Sequence, residues 1–330
     1  MRIYRCLLHH HPVKTLRSFI SLLLSTGLWL VAASGLHAAR AQPVQAVQVA
    51  PQVWMVQGES ALGSSANRNF ISNAAFVVTP GGVVVIDALG SPALAEELLA
   101  QIRRVTLLPV KHVIVTHYHA DHIYGLQVLQ AAGAEVIAQT RADEYLQSDT
   151  AQLRLKASRD DLFPWVDEHT RLVAPDRRVT DLSTLTVGGV RFEIGHAGPA
   201  HTPEDLAVWL PDARVLFVGD LVFRGRIPFV GLADSGQWVQ ALDRLLAYDA
   251  QLIVPGHGPA SAHAREDLQL TRDYLVHLRQ SMARAAQELE PFEEAYARTD
   301  WSRFEALPLF RAANRINAYN TYLLMEKTAK

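Results

Sequence analysis

An α/β fold in four layers, an αββα sandwich with two sheets face to face and helices outside them, is what this 330-residue chain predicts. Three observations lead there. Short apolar segments cluster in each half of the chain, helical patterns follow each cluster, and several apolar segments end in histidine or aspartate. In the first half, apolar runs at 53–55, 74–78 and 83–86 read as strands, ahead of a helix at 92–104, a strand at 112–115 and a helix at 123–132. In the second half, strands at 185–187, 190–194, 206–210 and 215–218 precede a helix at 235–247 and a strand at 252–254. A long amphipathic helix at 262–289 follows, with Leu268, Leu275, Leu278 and Met282 at helical spacing, and Pro291 ends it. Sheets formed this way bury one face against each other and the opposite faces under helices. The strand ends then share a cleft.

The densest chemistry lies in His117-Tyr118-His119-Ala120-Asp121-His122, directly after Val113-Ile114-Val115. His117 and His119 are two apart, so in an extended segment both rings point to one side and can share an ion. Asp121 and His122 fall on the turn that opens the next helix, where they can face a second ion. Zinc suits imidazole and carboxylate donors around an open position; iron or manganese would also fit. Surface histidines around a turn, comparable to the tract His9-His10-His11, are the alternative, but a buried cluster this dense is costly without a cation. Later strand ends repeat the pattern in His201 of Gly198-Pro199-Ala200-His201-Thr202, Asp220 after Gly219, and His257 of Pro255-Gly256-His257-Gly258. Each alone reads as a loop residue; four loaded strand ends together do not. Asp87 ends the run Val83-Val84-Val85-Ile86 and could orient a ligating imidazole or simply form a turn. Arg224 and Arg226 could anchor an anionic substrate group, with solvated surface arginines as the plainer reading.

In this order, across residues 47–274, the motifs resemble the metallo-β-lactamase superfamily, whose fold is the αββα sandwich. The resemblance implies that His117, His119 and His201 hold a first Zn2+, and that Asp121, His122 and His257 hold a second. It also implies that Asp220 bridges the two and that Asp121 and Asp220 are the catalytic carboxylates. Members that bind zinc through cysteine at the Asp220 position are set apart, because Cys6 is the chain's one cysteine. The flanks Asn69-Phe70-Ile71-Ser72-Asn73 and 116–126, with the tail 301–326, are similar to the periplasmic quinoprotein relay system zinc metallohydrolases. That likeness implies a periplasmic redox partner, a quinoprotein dehydrogenase system. Two ions about 3.5–4 Å apart activate a shared water for attack on an ester, thioester, lactone or lactam bond of a small-molecule substrate, and suit phosphoric and sulfuric esters as well. Three alternatives stand beside this: a β-lactamase proper, a mononuclear iron thiol dioxygenase, and a non-enzymatic metal-binding maturation protein.

Address and charge complete the expectation. Arg2, Arg5, Lys14 and Arg17 precede an apolar stretch at 19–33 and the small-x-small site Ala39-Arg40-Ala41, which reads as a signal peptide over 1–41 and export to the periplasm, with no stable membrane anchor after its removal. The hydrolase domain is then 42–290, and 291–330 is a C-terminal helical extension packed on it, since Trp301, Phe304, Leu307 and Phe310 are too apolar for a solvated end. Removing the five basic residues of the segment from the chain's 31 leaves 26 against 33 acidic residues, a formal −7. Such a chain has no electrostatic reason to bind nucleic acid. Residues 58–69, small and polar, read equally as a mobile flap over the cleft or as a plain hairpin loop.

Overall fold

The computed structural model describes residues 42–328; the signal-peptide reading lies outside them. A seven-stranded sheet runs in chain order through β1 (Ala46–Ala50), β2 (Val53–Val56), β3 (Ala74–Thr79), β4 (Gly82–Ile86), β5 (Val110–Ile114), β6 (Glu135–Gln139) and β7 (Arg177–Val179). Its pairings are antiparallel up to β4 and parallel beyond. The five-stranded sheet comprises β8 (Leu182–Val187), β9 (Val190–His196), β10 (Leu206–Leu210), β11 (Val215–Phe223) and β12 (Leu252–His257), in the order β12-β11-β10-β9-β8. Strand alternation produces the layers. Ala75, Val77, Val84 and Ile86 of the first sheet meet Leu206, Val208, Val215 and Phe217 of the second in a central core. Their neighbours Phe76, Val83 and Val85 face α1 (Pro92–Val105), while Leu216 and Val218 face α6 (Ser235–Leu245) and α7 (Ala264–Gln287). The predicted αββα sandwich is the observed fold.

Differences from the sequence reading have local causes. The helix placed at 123–132 begins earlier and breaks, into α2 (Ala120–Ile123) and α3 (Leu126–Ala131), because Gly125 packs where a Cβ would lie 2.0 Å from the Ala88 carbonyl oxygen. β11 continues five residues past Val218 through a register shift at Gly219, whose φ is +48°, so Asp220 lies inside a strand rather than after one. Beyond α7, the short α8 (Phe292–Arg298) and α9 (Phe310–Thr328) cover the outer face, with Trp301, Phe304, Ala313 and Tyr322 in the apolar core under α7.

The two sheets are tied beside the cleft by Asn73. Its side-chain nitrogen donates to the carbonyls of Pro255, at 2.8 Å, and Gly258, at 2.7 Å, and its oxygen accepts from the Gly58 amide at 3.2 Å. Asn73 therefore supports backbone on both sides of the cleft. Asn73→Ala should destabilise the fold by about 1–3 kcal/mol, because it leaves buried backbone groups without partners. Urea unfolding checks this, and a loss below about 0.5 kcal/mol, the range of a neutral surface change, would refute it.

Candidate metal centre

β5 and its continuation deliver the first ligands. Past Val115, the buried His117 turns inward, Tyr118 turns outward to pack in the helix-covered core and donate to the Val173 carbonyl at 3.1 Å, and His119 turns back to the cleft as the N-cap of α2. The first turn of α2 then carries Asp121 and His122 inward. Two groups of side chains result, His117, His119, His201 with Asp220, and Asp121, His122, His257, with the donor atoms of each group all within 4.8 Å of one another. In the first, Nδ1 of His119 lies 3.1 Å from Nε2 of His117 and 3.0 Å from Nε2 of His201. In the second, Oδ2 of Asp121 lies 3.6 Å from Nε2 of His122 and 3.4 Å from Nε2 of His257. Asp220 reaches both: Oδ2 is 3.4 Å from His201 Nε2, 3.7 Å from His117 Nε2 and 3.3 Å from His257 Nε2, and Oδ1 is 3.2 Å from His122 Nε2.

This donor set fits metal ions. Nitrogens bound tetrahedrally to zinc at 2.0–2.1 Å sit about 3.3 Å apart, close to the spacings of the first group. One ring hydrogen could bridge His119 to only one of its two neighbours, whereas a cation satisfies all three nitrogens. Nε2 of His122 and Oδ1 of Asp220 are buried 3.2 Å apart without the alignment of a hydrogen bond, an arrangement that a cation held by both would satisfy.

Electrostatics point the same way. Burial pushes His201 down to about 3 and holds His117 and His119 below the usual histidine range, so these imidazoles are neutral. Burial opposes ionisation of Asp220, but His257, His122 and His117 outweigh it and hold the carboxyl well below the usual range; Asp121 is lowered by His122 and His257 in the same way. His122 is raised well above its ordinary value, since Asp220, Asp121 and Asp87 together exceed the burial that opposes its charge. Neutral imidazoles at His117, His119 and His201 beside ionised carboxylates are the states in which such groups bind metal, whereas His122 would release a ring proton on binding.

A surrounding layer fixes the rings. Asp87 accepts from Nδ1 of His122 at 2.9 Å and from the amide and hydroxyl of Thr116, each at 2.8 Å. It adopts φ +61°, a left-handed backbone that aspartate tolerates. Nδ1 of His257 donates to the Ile71 carbonyl at 2.6 Å, and the ring stacks on Phe223, centroids 4.9 Å apart. His201 packs against Trp238 at 5.1 Å. Gly256 lets the backbone close on Asp220, because a Cβ there would lie 2.1 Å from Oδ1.

The arginines divide. Arg224 is taken up by Asp267, both carboxylate oxygens 3.1 Å from Nε, and is not among the residues lining the cleft. Arg226, against the surface reading, is buried in the cleft wall between Phe223 and Phe229, 5.4 Å from each ring centroid, with Nη1 3.2 Å from Nδ1 of His257, Nε unpartnered and no carboxylate at ion-pair distance among the described residues. Thr116, Trp238 and the Ile71 carbonyl were not singled out by sequence. Trp238 lies on the apolar face of α6 and reads there as ordinary core; a carbonyl has no sequence signal. Other histidines lie elsewhere: His112 pairs with Glu135, His196 contacts the Pro203 carbonyl, and His277 packs on Trp301.

The centre opens into a cleft of about 580 Å³. Residues 58–69 form part of its wall and are tied down, Glu59 donating to the Phe70 carbonyl, Asn67 capping Ser64, and Arg68 pairing with Glu97.

The sequence matches the metallo-beta-lactamase superfamily over residues 67–257, more than half of the chain, and the chain belongs to that superfamily. It is 25% identical over 243 residues to the linear primary-alkylsulfatase of Pseudomonas sp., a match covering 63% of this chain and 46% of that protein. To metallo-beta-lactamase type 2 of Bacillus cereus it is 26% identical over 216 residues, covering 64% and 75%. The solved stereoselective inverting sec-alkylsulfatase of Pseudomonas sp. shares the fold at TM-score 0.69 and 19% identity, over 85% of this chain and 50% of that one. The chain thus spans about half the length of the alkylsulfatases it matches.

Asp87→Asn should lower zinc affinity of the His122 group by about 10–100-fold, because one amide oxygen must now serve three donors. Competition with a chromogenic chelator measures both binding steps. A weaker step unchanged from wild type would mean that Asp87 does not orient His122.

Proposed function

We propose that the protein is a dinuclear zinc hydrolase, acting on an ester, thioester or lactone ahead of a lactam. The observation that carries this is the placement of Asp220, one carboxylate that reaches both ligand groups, Oδ2 lying between His117, His201 and His257 and Oδ1 beside His122. Two bound zinc ions would supply the Lewis acidity that makes water a nucleophile near neutral pH and stabilises developing oxyanion charge. The chain's own residues do the rest. His117, His119 and His201, neutral, hold one position, and Asp121, His122 and His257 the other, while Asp220 balances charge between them. Asp121 also lines the cleft, where its second oxygen can take a proton from the attacking water. Arg226, planar and fixed by two aromatic rings, offers its guanidinium to an anionic part of the substrate, a carboxylate or a sulfate. Periplasmic export is part of the reading, supported by the basic and apolar pattern of 1–41, and a link to a quinoprotein dehydrogenase system is supported by the flanking motifs. The second reading is a β-lactamase proper, favoured by the match to the Bacillus cereus enzyme over 75% of its length.

Metal analysis of the zinc-loaded protein should return two ions per chain. One iron per chain, with the second group left empty on zinc addition, would exclude the dinuclear reading. His119→Ala should lose metal from the first group and hydrolysis with it. Asp220→Asn should keep the fold and lose most turnover; normal turnover with two zinc ions bound would remove Asp220 from the bridge. The substrate class is read from kcat/KM for a penicillin, a carbapenem, a thioester and an alkyl sulfate on one zinc-loaded preparation. Lactam efficiencies of about 10⁴ M⁻¹s⁻¹ or more, ordinary for a dedicated enzyme, with the other substrates inert, would favour the β-lactamase instead.

A further inference from the structure

A second chamber of about 540 Å³ meets the metal cleft. Its lining shares His119 and His201 with the cleft, and Tyr145, Thr150 and Phe229 stand where the two meet. It touches only the first ligand group, so it leads away from one side of the centre.

Its walls differ in chemistry from those of the cleft. Tyr145, Pro199, Ala200, Phe229, Val230 and Leu232 supply apolar surface. Most polar side chains around it already have partners. Arg141 is bidentate to Glu144, Thr202 donates to Asp205, Ser148 and Asp234 cap α5 (Asp149–Asp161) and α6, and Glu204 accepts from the Tyr118 amide. Little is left to recognise a polar ligand. Leu232 is 96% exposed at the chamber's lip, and a large apolar side chain held there suits an apolar ligand entering past it.

The wall is also preformed. Residues 227–232 are pinned from α9 and the turn before it: Ile227 donates to the Pro308 carbonyl at 3.0 Å, Asn317 donates to the Pro228 carbonyl at 2.7 Å and accepts from Val230 at 2.9 Å, and Asn320 donates to the Gly231 carbonyl at 2.7 Å. A ligand entering this chamber meets a shaped surface without having to order it.

From the apolar walls, the shared His119–His201 edge and the pinned lip, we propose that the second chamber seats an unbranched acyl or alkyl chain of the substrate, with the scissile group at the metal centre. This rests on the hydrolase reading above. For an acyl substrate RCO–XR′, water adds at the carbonyl carbon, the C–X bond breaks, the proton passes to X, and RCOOH and HXR′ leave; the chamber holds R.

Burying a methylene raises affinity about fourfold, so from acetyl to octanoyl, with partial burial, a gain of about a hundredfold is expected. The test uses the zinc-loaded full chain, wild type and Leu232→Asp, a change on an exposed side chain that leaves the fold intact by circular dichroism. Two series are measured: kcat/KM for p-nitrophenyl acetate, butyrate, hexanoate and octanoate, and calorimetric Kd for sodium acetate through octanoate below micellar concentration. Octanoate should bind about a hundredfold tighter than acetate, and Leu232→Asp should reduce that ratio about tenfold, with the ester series moving in parallel. Equal affinity for acetate and octanoate, or an octanoate-to-acetate ratio untouched by Leu232→Asp, overturns the proposal. If no ester is cleaved while the carboxylate series shows the full dependence, the chamber stands and the hydrolase reading falls.

Discussion

The carboxylate of Asp220 sets the conditions for the rest of the molecule. It is 4% exposed, with imidazoles of His117, His122, His201 and His257 all 3.2–3.7 Å away. An ionised carboxylate in such a place is expensive unless positive charge surrounds it. Much of the local backbone is accounted for by that need. Gly219 shifts β11 against β12 so that Asp220 turns inward while the strand continues to Phe223, and Gly256 removes the side chain that would collide with it. The apolar strands on either side are the scaffold that holds this charge still.

How much of this was legible in the sequence follows from what kind of signal each feature has. Strands buried on both faces, such as β4 and β11, read directly as apolar runs, and the fold class followed from their grouping. β1 was missed because it is a half-exposed edge strand, Ala-Val-Gln-Val-Ala, and β7 because Arg177–Val179 carries two arginines in three residues. The ligand-type side chains announce themselves by spacing and by the strands before them. Their supports do not: Asp87 was ambiguous with a turn, and Trp238 with ordinary helix packing. Arg226 and Arg224 look alike in sequence, two arginines two positions apart that both read as surface residues. They separate only in three dimensions, where Arg224 meets Asp267 and Arg226 is walled in by Phe223 and Phe229.

The two halves of the chain contribute unequally to rigidity. The first ligand group draws His117 and His119 from one half and His201 from the other, so any sliding of the sheets would open it. Asn73 resists that motion from the first sheet by binding the loop that carries His257, and the Ile71 carbonyl fixes the His257 ring itself. These are hydrogen bonds between segments more than 180 residues apart in sequence, made where the apolar inter-sheet core ends and the polar cleft begins. Packing holds the sheets together, and directional bonds set their register at the site.

The C-terminal helix extends the same logic to the substrate side. α9 is anchored through a buried polar network in which Tyr274 of α7 donates to Asn314 and Asn317 donates to Tyr274. Buried polar groups stabilise only when fully satisfied, and here satisfaction requires one particular placement of the 227–232 segment against the helix. A wholly apolar contact would tolerate small shifts of that segment; the Asn317 and Asn320 bonds to its backbone do not. Since this segment carries Phe229, which lines both the charged cleft and the apolar chamber, the wall they share is positioned by hydrogen bonds from α9. The tail is thereby part of the site's geometry, acting through the loop it holds.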